Sequence, residues 1–186
     1  MDANLWKPIP GSIIPPMPAR FFAPDLVGPD QPLALPPDEA VHLVRVLRLC
    51  SGDVVSVFDG RGVEYLARVE TAEPRRVVVR PFESVKPPPE PKVALTVAQG
   101  LLKGRKFDAV VRDLTMVGAV AVQPLVTDHS EAHERDPARW MRVAVASAKQ
   151  CRRAVVPLVR FPVSFRQLLD EDDAPLRLLL VEPEVA

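Results

Sequence analysis

The chain has 186 residues, 47% of them hydrophobic and 26% charged, a composition that suits one or two folded domains and excludes a fibrous repeat or a disordered tail. Basic and acidic residues balance at 24 each, so the chain as a whole is not a polycation. No apolar run approaches the roughly 20 residues of a membrane-spanning helix, which argues against a transmembrane protein.

Residues 1–17 are broken by prolines and lack a basic stretch followed by a long apolar one, so they read as a flexible arm rather than a signal peptide. From residue 18 to 85 the pattern predicts a small, mostly β module. Pro36-Pro37-Asp38 opens a helix over 38–49 with Val41, Val44 and Leu47 on one face,. Strands follow over 54–58, 63–73 and 77–85, the first two joined by a hairpin turn at Asp59-Gly60-Arg61-Gly62,. Residues 86–91, Lys-Pro-Pro-Pro-Glu-Pro, predict a stiff extended spacer and a domain boundary. Beyond it the pattern alternates: strand 93–98, helix 107–117, strand 119–126, helix 137–153, short helix 165–170 and strand 176–181. That alternation is the signature of an α/β layer with parallel pairing.

Charge follows the same division. Residues 92–160 hold 12 basic and 6 acidic side chains, whereas 18–85 hold 8 and 10, and 161–186 hold 2 and 6. The excess of six positive charges in the middle segment points to a partner that is a polyanion.

Three clusters stand out. Lys103, Arg105 and Lys106 lie between a strand end and a helix start, where open α/β sheets bind ligands and where cations suit a phosphate backbone; Arg112 follows on the same helix. A solvated helix start, with Asp108 near the positive end of the helix dipole, accounts for the same residues. Lys149, Arg152 and Arg153 close the 137–153 helix. The dipole favours cations there, but two adjacent arginines also suit bidentate phosphate contacts or stacking on an unpaired base. Arg45 and Arg48 lie three apart on the 38–49 helix, either as a solvated face or as part of an RNA surface. His42 reads as a packing histidine. His129 and His133 read as loop residues, and Trp140 as core. Cys50 and Cys151 read as free thiols of a reducing compartment. With three histidines and two cysteines at no ligand spacing, no metal site is expected. The absence of GxGxxG and GxxxxGK[ST] patterns excludes the Rossmann and Walker phosphate loops.

Several short strings in a fixed order carry a resemblance. They are Arg20-Phe21-Phe22, His42-Leu43, Val46-Leu47-Arg48-Leu49, Gly52-Asp53 and Phe58-Asp59-Gly60, then Gln99, Lys103-Gly104, Lys106, Asp108, Gly118, Pro124-Leu125, Arg139-Trp140, Gln150, Arg153 and Pro157. Over residues 19–181 the chain resembles the RsmE family of 16S ribosomal RNA uridine-N3 methyltransferases, within the SPOUT superfamily. The resemblance implies an N-terminal PUA-like β-barrel that recognises RNA, followed by an α/β-knot methyltransferase domain that binds S-adenosylmethionine and forms a homodimer. The RNA-facing set would then comprise Arg20, Arg45, Arg48, Lys103, Arg105 and Lys106, with Arg112, Arg152 and Arg153. Small-subunit ribosomal RNA or the small subunit itself is the implied partner.

The sequence departs from that pattern in three places. Thr115-Met116-Val117-Gly118 replaces a Thr-Glu-Leu-Gly stretch, with Asp113 at the position where the family carries lysine three residues before the glutamate, and Thr127-Asp128-His129-Ser130 replaces a Ser-Glu-Arg-Ser-like loop. The glycine-rich segment expected near residues 182–186 is not found, so the knot is expected to be missing, this chain alone is expected to be inactive, and Glu182 is the single cofactor-binding candidate. No residue is assigned as the proton acceptor. The alternative reading is a non-catalytic RNA-binding relative that has lost the cofactor site.

Overall fold

The structure is a computed structural model that describes residues 18–128, 130, 136–171 and 173–180. The predicted arm 1–17, His129, His133 and Glu182 lie outside the described residues.

The first domain begins with β1 (Arg20–Phe22) and β2 (Leu33–Ala34), then α1 (Pro37–Val41) and a single π-helical stretch, His42–Val46. Next come β3 (Val54–Phe58), β4 (Glu64–Glu73) and β5 (Arg76–Val85). They form one five-stranded sheet in the order β1-β3-β4-β5-β2, antiparallel except for the β1–β3 pair. Alternation places Val55, Val57, Ala67, Val69, Val77 and Val79 inward, where they meet Phe21, Ala40 and Leu43 in a single hydrophobic core,. The β4–β5 ladder shifts register between Leu66 and Ala67, and Pro81 pairs with Ala67 at that shift, which is where a strand tolerates a residue without an N–H.

The predicted helix over 38–49 is corrected. The regular α-helix lasts one turn, and the Leu47 N–H then donates to the His42 carbonyl at 3.0 Å, an i→i+5 bond that widens the coil. Widening changes the phase of the buried face. Glu39, Ala40 and Leu43 are inside, while Val41 and Leu47 are 41% and 40% exposed. Arg48 is not helical but left-handed, with φ 56°, so it does not share a helix face with Arg45.

The second domain runs β6 (Thr96–Gly100), α2 (Lys106–Val117), β7 (Ala121–Val126), α3 (Pro137–Cys151), β8 (Leu158–Val159), β9 (Val163–Ser164) and α4 (Phe165–Glu171). All its strand pairs are parallel, with β7 between β6 on one side and β8 and β9 on the other. Phe107, Val111, Val122, Trp140 and Ala144 form the core, with the Phe107 and Trp140 rings 4.6 Å apart. The expected first strand starts three residues later than 93, since Val93 is 72% exposed and pairing begins where Thr96 meets Ala121. The expected strand over 176–181 is also corrected for its described part. Residues 176–180 belong to no strand, and Leu180 is 95% exposed; a strand needs a neighbour's backbone for its hydrogen bonds, and none is paired with this run among the described residues.

The 86–91 segment is extended but is not a free spacer. The Glu90 carboxylate binds the Arg153 guanidinium at 2.6 Å, and Pro91 lies against Gly118. Gly118 ends α2 with φ 94°, and a Cβ placed there would meet Pro91 Cγ at 2.4 Å. Only glycine satisfies both demands.

Candidate functional site

Two backbone contacts draw the domains together. Gly62 N–H donates to the Ala154 carbonyl at 3.1 Å, and Val156 N–H donates to the Gly60 carbonyl at 2.9 Å. The predicted hairpin turn is thus also the docking edge of the first domain.

Arg20 strengthens that edge from inside. Its side chain is 8% exposed and forms a two-point pair with Glu64, Nε to Oε1 at 2.9 Å and Nη2 to Oε2 at 2.8 Å. It also donates to the carbonyls of Ala148 (3.1 Å), Lys149 (3.3 Å) and Arg153 (3.2 Å). Those of Ala148 and Lys149 are acceptors that the C-terminal end of α3 leaves without intrahelical partners, so a guanidinium there satisfies the helix end and complements its dipole,. The same guanidinium lies 4.5 Å from the centroid of the Phe58 ring. Arg20 therefore joins the domains, with most of its side chain buried at their junction.

Arg153 is likewise turned inward. It is 7% exposed, grips Glu90 through Nε and Nη2, and donates from Nη1 to the carbonyls of Thr115 (2.7 Å) and Ala119 (3.2 Å). Its neighbour Arg152 is the exposed one and closes α3 in a left-handed conformation with φ 65°. The adjacent pair expected to face RNA together is split between interior and surface.

The remaining candidates lie outside. Arg45 and Arg48 are exposed beside the π-helical stretch, and Lys103, Arg105, Lys106 and Arg112 are exposed around the start and first turns of α2. Arg112 donates to Asp113 Oδ1 at 2.8 Å, and that hydrogen bond, with the Asp113 charge, holds the guanidinium above its usual range. The acidic departure at 113 thus engages a cation of the same cluster. Asp108 does more than favour the start of α2: its Oδ2 accepts from Arg139 Nη2 at 2.6 Å and links α2 to α3, while its buried Oδ1 has no partner.

Sequence reasoning missed one group. Lys149 was explained by the helix dipole, but its ammonium donates to Glu39 Oε2 at 2.6 Å across the domain junction and stands 3.5 Å from His42 Nδ1. The available signal was Glu39 itself, an acid next to the buried positions Ala40 and Leu43, which requires a cation or a donor when the face packs. His42 packs on Phe21 with ring centroids 5.9 Å apart. The group stands at the edge of a groove of about 780 Å³ between α3 and the first domain, lined among others by Phe22, Leu47, Met141, Val145 and Ala146. A smaller groove of about 380 Å³ opens between α2 and α3 beside Arg105, Arg112 and Ser147. Neither includes a residue of the β6 or β7 carboxyl ends. Among the described residues, no three His, Cys, Asp or Glu side chains are placed to share a metal ion, and no helix is long and apolar enough to cross a membrane.

Comparison with known proteins matches this two-part architecture. Residues 35–82 match the RNA methyltransferase PUA domain, and residues 88–185 match the RNA methyltransferase domain. A Synechocystis protein named ribosomal RNA small subunit methyltransferase E is 32% identical over 142 residues, covering 75% of this chain and 46% of its own length. The Bacillus subtilis protein of the same name is 28% identical, covering 71% and 54%. The chain therefore spans about half the length of these curated relatives. Among solved structures, a Legionella pneumophila protein in complex with the bound cofactor S-adenosylmethionine superposes with TM-score 0.80 at 26% identity, covering 87% of this chain and 69% of that one. A ribosomal RNA small subunit methyltransferase E from Neisseria gonorrhoeae, bound to the same cofactor, gives TM-score 0.77 at 25% identity, covering 84% and 66%. With the RNA methyltransferase domain matched over residues 88–185, more than half of the chain, and the PUA domain ahead of it, the chain belongs to the family of RNA methyltransferases that carry this domain.

Proposed function

We propose that this protein transfers a methyl group from S-adenosylmethionine to N3 of a uridine in the 16S RNA of the small ribosomal subunit, in the cytoplasm and as a homodimer. The observation that carries the reading is the joining of an RNA methyltransferase PUA module to a methyltransferase domain whose solved neighbours hold S-adenosylmethionine. In this reading residues 18–85 are the RNA module, 86–91 the junction and 92–186 belong to a methyltransferase domain of the SPOUT kind.

S-adenosylmethionine would supply the methyl group. The described strand ends offer only part of a site for it: Gln99 Nε2 is turned to the Gly100 carbonyl at 3.2 Å, and both grooves lie elsewhere, so no step is derived through the cofactor. Glu182, the candidate ligand from sequence, lies outside the described residues. The N3–H proton of uracil has to leave as the methyl group arrives, which demands a proton acceptor and donors to the developing charge on the uracil oxygens.

The chain's own contribution to RNA binding is a set of exposed cations from both domains. Arg45, Arg48, Lys103, Arg105, Lys106 and Arg152 offer charge to phosphates, and Arg112 does so in competition with Asp113,. The test is a transfer assay with methyl-labelled S-adenosylmethionine on small-subunit RNA and on small subunits, followed by nucleoside mass spectrometry. Label recovered as 3-methyluridine is expected. Label on another atom overturns the substrate assignment, and RNA binding without any transfer moves the protein to the non-catalytic alternative.

A further inference from the structure

We propose that the outer face of the first domain's sheet carries a stacking platform for one unpaired base of the bound RNA, made of the Phe82 ring and the Arg68 guanidinium. This rests on the RNA reading above and adds to it a place where a base, and not only a phosphate, is held.

The inward rows of β4 and β5 build the core, so alternation sends Arg68 on β4, and Arg76, Val78 and Arg80 on β5, to the opposite face,. Across the ladder Arg68 stands between Val54 and Arg80. Phe82 joins that face through an irregularity. Ala67 pairs with Pro81 and Leu66 with Glu83, which leaves Phe82 as an extra residue with no opposite partner on β4, and a bulge of this kind re-aims a side chain. The ring is 42% exposed and lies outside the domain core.

A lone exposed phenylalanine is ordinary, but this one has a cation set beside it. The Arg68 guanidinium lies 5.8 Å from the ring centroid, and it also donates to the Gly52 carbonyl at 2.9 Å. Both partners are neutral, so the charge of Arg68 is not cancelled, whereas Arg80 is paired with Glu70. Glu83, next along β5, is exposed and repels phosphate, which leaves Arg68 as the attractive side of the ring. A flat ring with an uncancelled guanidinium beside it matches a flat base joined to a phosphate, since aromatic faces stack on any base and guanidinium both stacks and forks onto phosphate. Aromatic side chains on an open sheet face hold unpaired RNA bases in just this manner. A protein partner fits less well, because Arg68, Arg80, Glu70 and Glu83 surround the ring with charge and the centre of a protein interface is depleted of it. The stretch 35–82 that matches the RNA methyltransferase PUA domain takes in both Arg68 and Phe82.

The test measures fluorescence anisotropy of the whole chain with an end-labelled ten-nucleotide oligouridylate, and with an RNA duplex of equal length, for wild type, F82A, F82W and R68Q. F82A should weaken single-strand binding about tenfold, the scale of one lost base-stacking contact, and leave duplex binding within about twofold. Its Tm should stay within about 2 °C of wild type, as for an exposed side chain. F82W restores a stacking face and should bind the single strand at least as tightly as wild type. R68Q should flatten the salt dependence of single-strand binding by about 0.7 units, the value for one phosphate. Oligouridylate carrying 5-iodouridine should crosslink to the peptide containing Phe82. If F82A binds the single strand as tightly as wild type, or crosslinks map elsewhere, the platform is overturned while the RNA reading stands. If the wild-type chain binds neither RNA, both fall. If F82A melts several degrees early and loses single strand and duplex alike, Phe82 serves packing and the proposal is wrong. If F82A instead abolishes self-association and leaves RNA affinity unchanged, the face is a protein interface and the proposal is equally wrong.

Discussion

Replacing Arg153 with alanine separates stability from RNA affinity at a position where sequence alone assigned the latter. The wild-type guanidinium is 7% exposed and binds the Glu90 carboxylate and the carbonyls of Thr115 and Ala119. Removing one partner of a buried ion pair destabilises by about 3–5 kcal/mol, and buried acceptors left without donors add to the loss. Glu90 keeps 31% of its side chain in solvent and can be rehydrated, so the lower end applies, about 3 kcal/mol. For a chain of this size each kcal/mol lowers Tm by about 2–4 °C, which gives a drop of roughly 6–12 °C. The assay pairs thermal melting with the salt dependence of RNA binding. R153A should melt early with its salt slope intact, whereas R105A, at an exposed position, should keep its Tm and lose about one unit of slope, as one phosphate contact would. An R153A protein that melts with wild type and loses slope would refute the inward placement.

Further predictions follow from the same contacts. G118A should lower Tm by several degrees, because alanine meets Pro91 in a left-handed conformation, and melting curves detect it. R20K keeps the charge but not the fork, so hydrogen exchange at the end of α3 and around Gly60–Gly62 should accelerate while the sheet core stays protected. W140A removes a side chain that is 3% exposed and should destabilise by about 3–5 kcal/mol in urea titration. L178S, at a residue 82% exposed, should change stability by no more than about 0.5 kcal/mol.

Local pattern made most of the architecture legible. Alternating valines mark β3 and β5, and 3.6-residue spacing marks α2 and α3, because the side chains that define those periods are also the ones that pack. The π-helical stretch was hidden, since one i→i+5 bond at His42 leaves no composition signal yet rotates every later residue of that segment. The exposed cations at Lys103, Arg105 and Lys106 were legible for the same reason as the helices: they flank a strand–helix transition. The inward contacts of Arg20 and Arg153 are not legible in the sequence because their acceptors lie 128 residues away at Ala148 and 38 residues away at Thr115. A cation's count in a segment says nothing about which carbonyls the fold will bring to it.

The joining of Gly60 and Gly62 to the strip from Ala154 to Val156 has a consequence for dissection of the molecule. A chain cut within residues 86–91 would not yield two independent halves. The C-terminal half would display the bare carbonyls of Ala148, Lys149 and Arg153, and the N-terminal half a guanidinium already fixed by Glu64 in the shape of their complement. Co-expressed as separate polypeptides, the halves would therefore behave as a lock and its key and copurify, with Arg20 as the tooth whose removal lets them part.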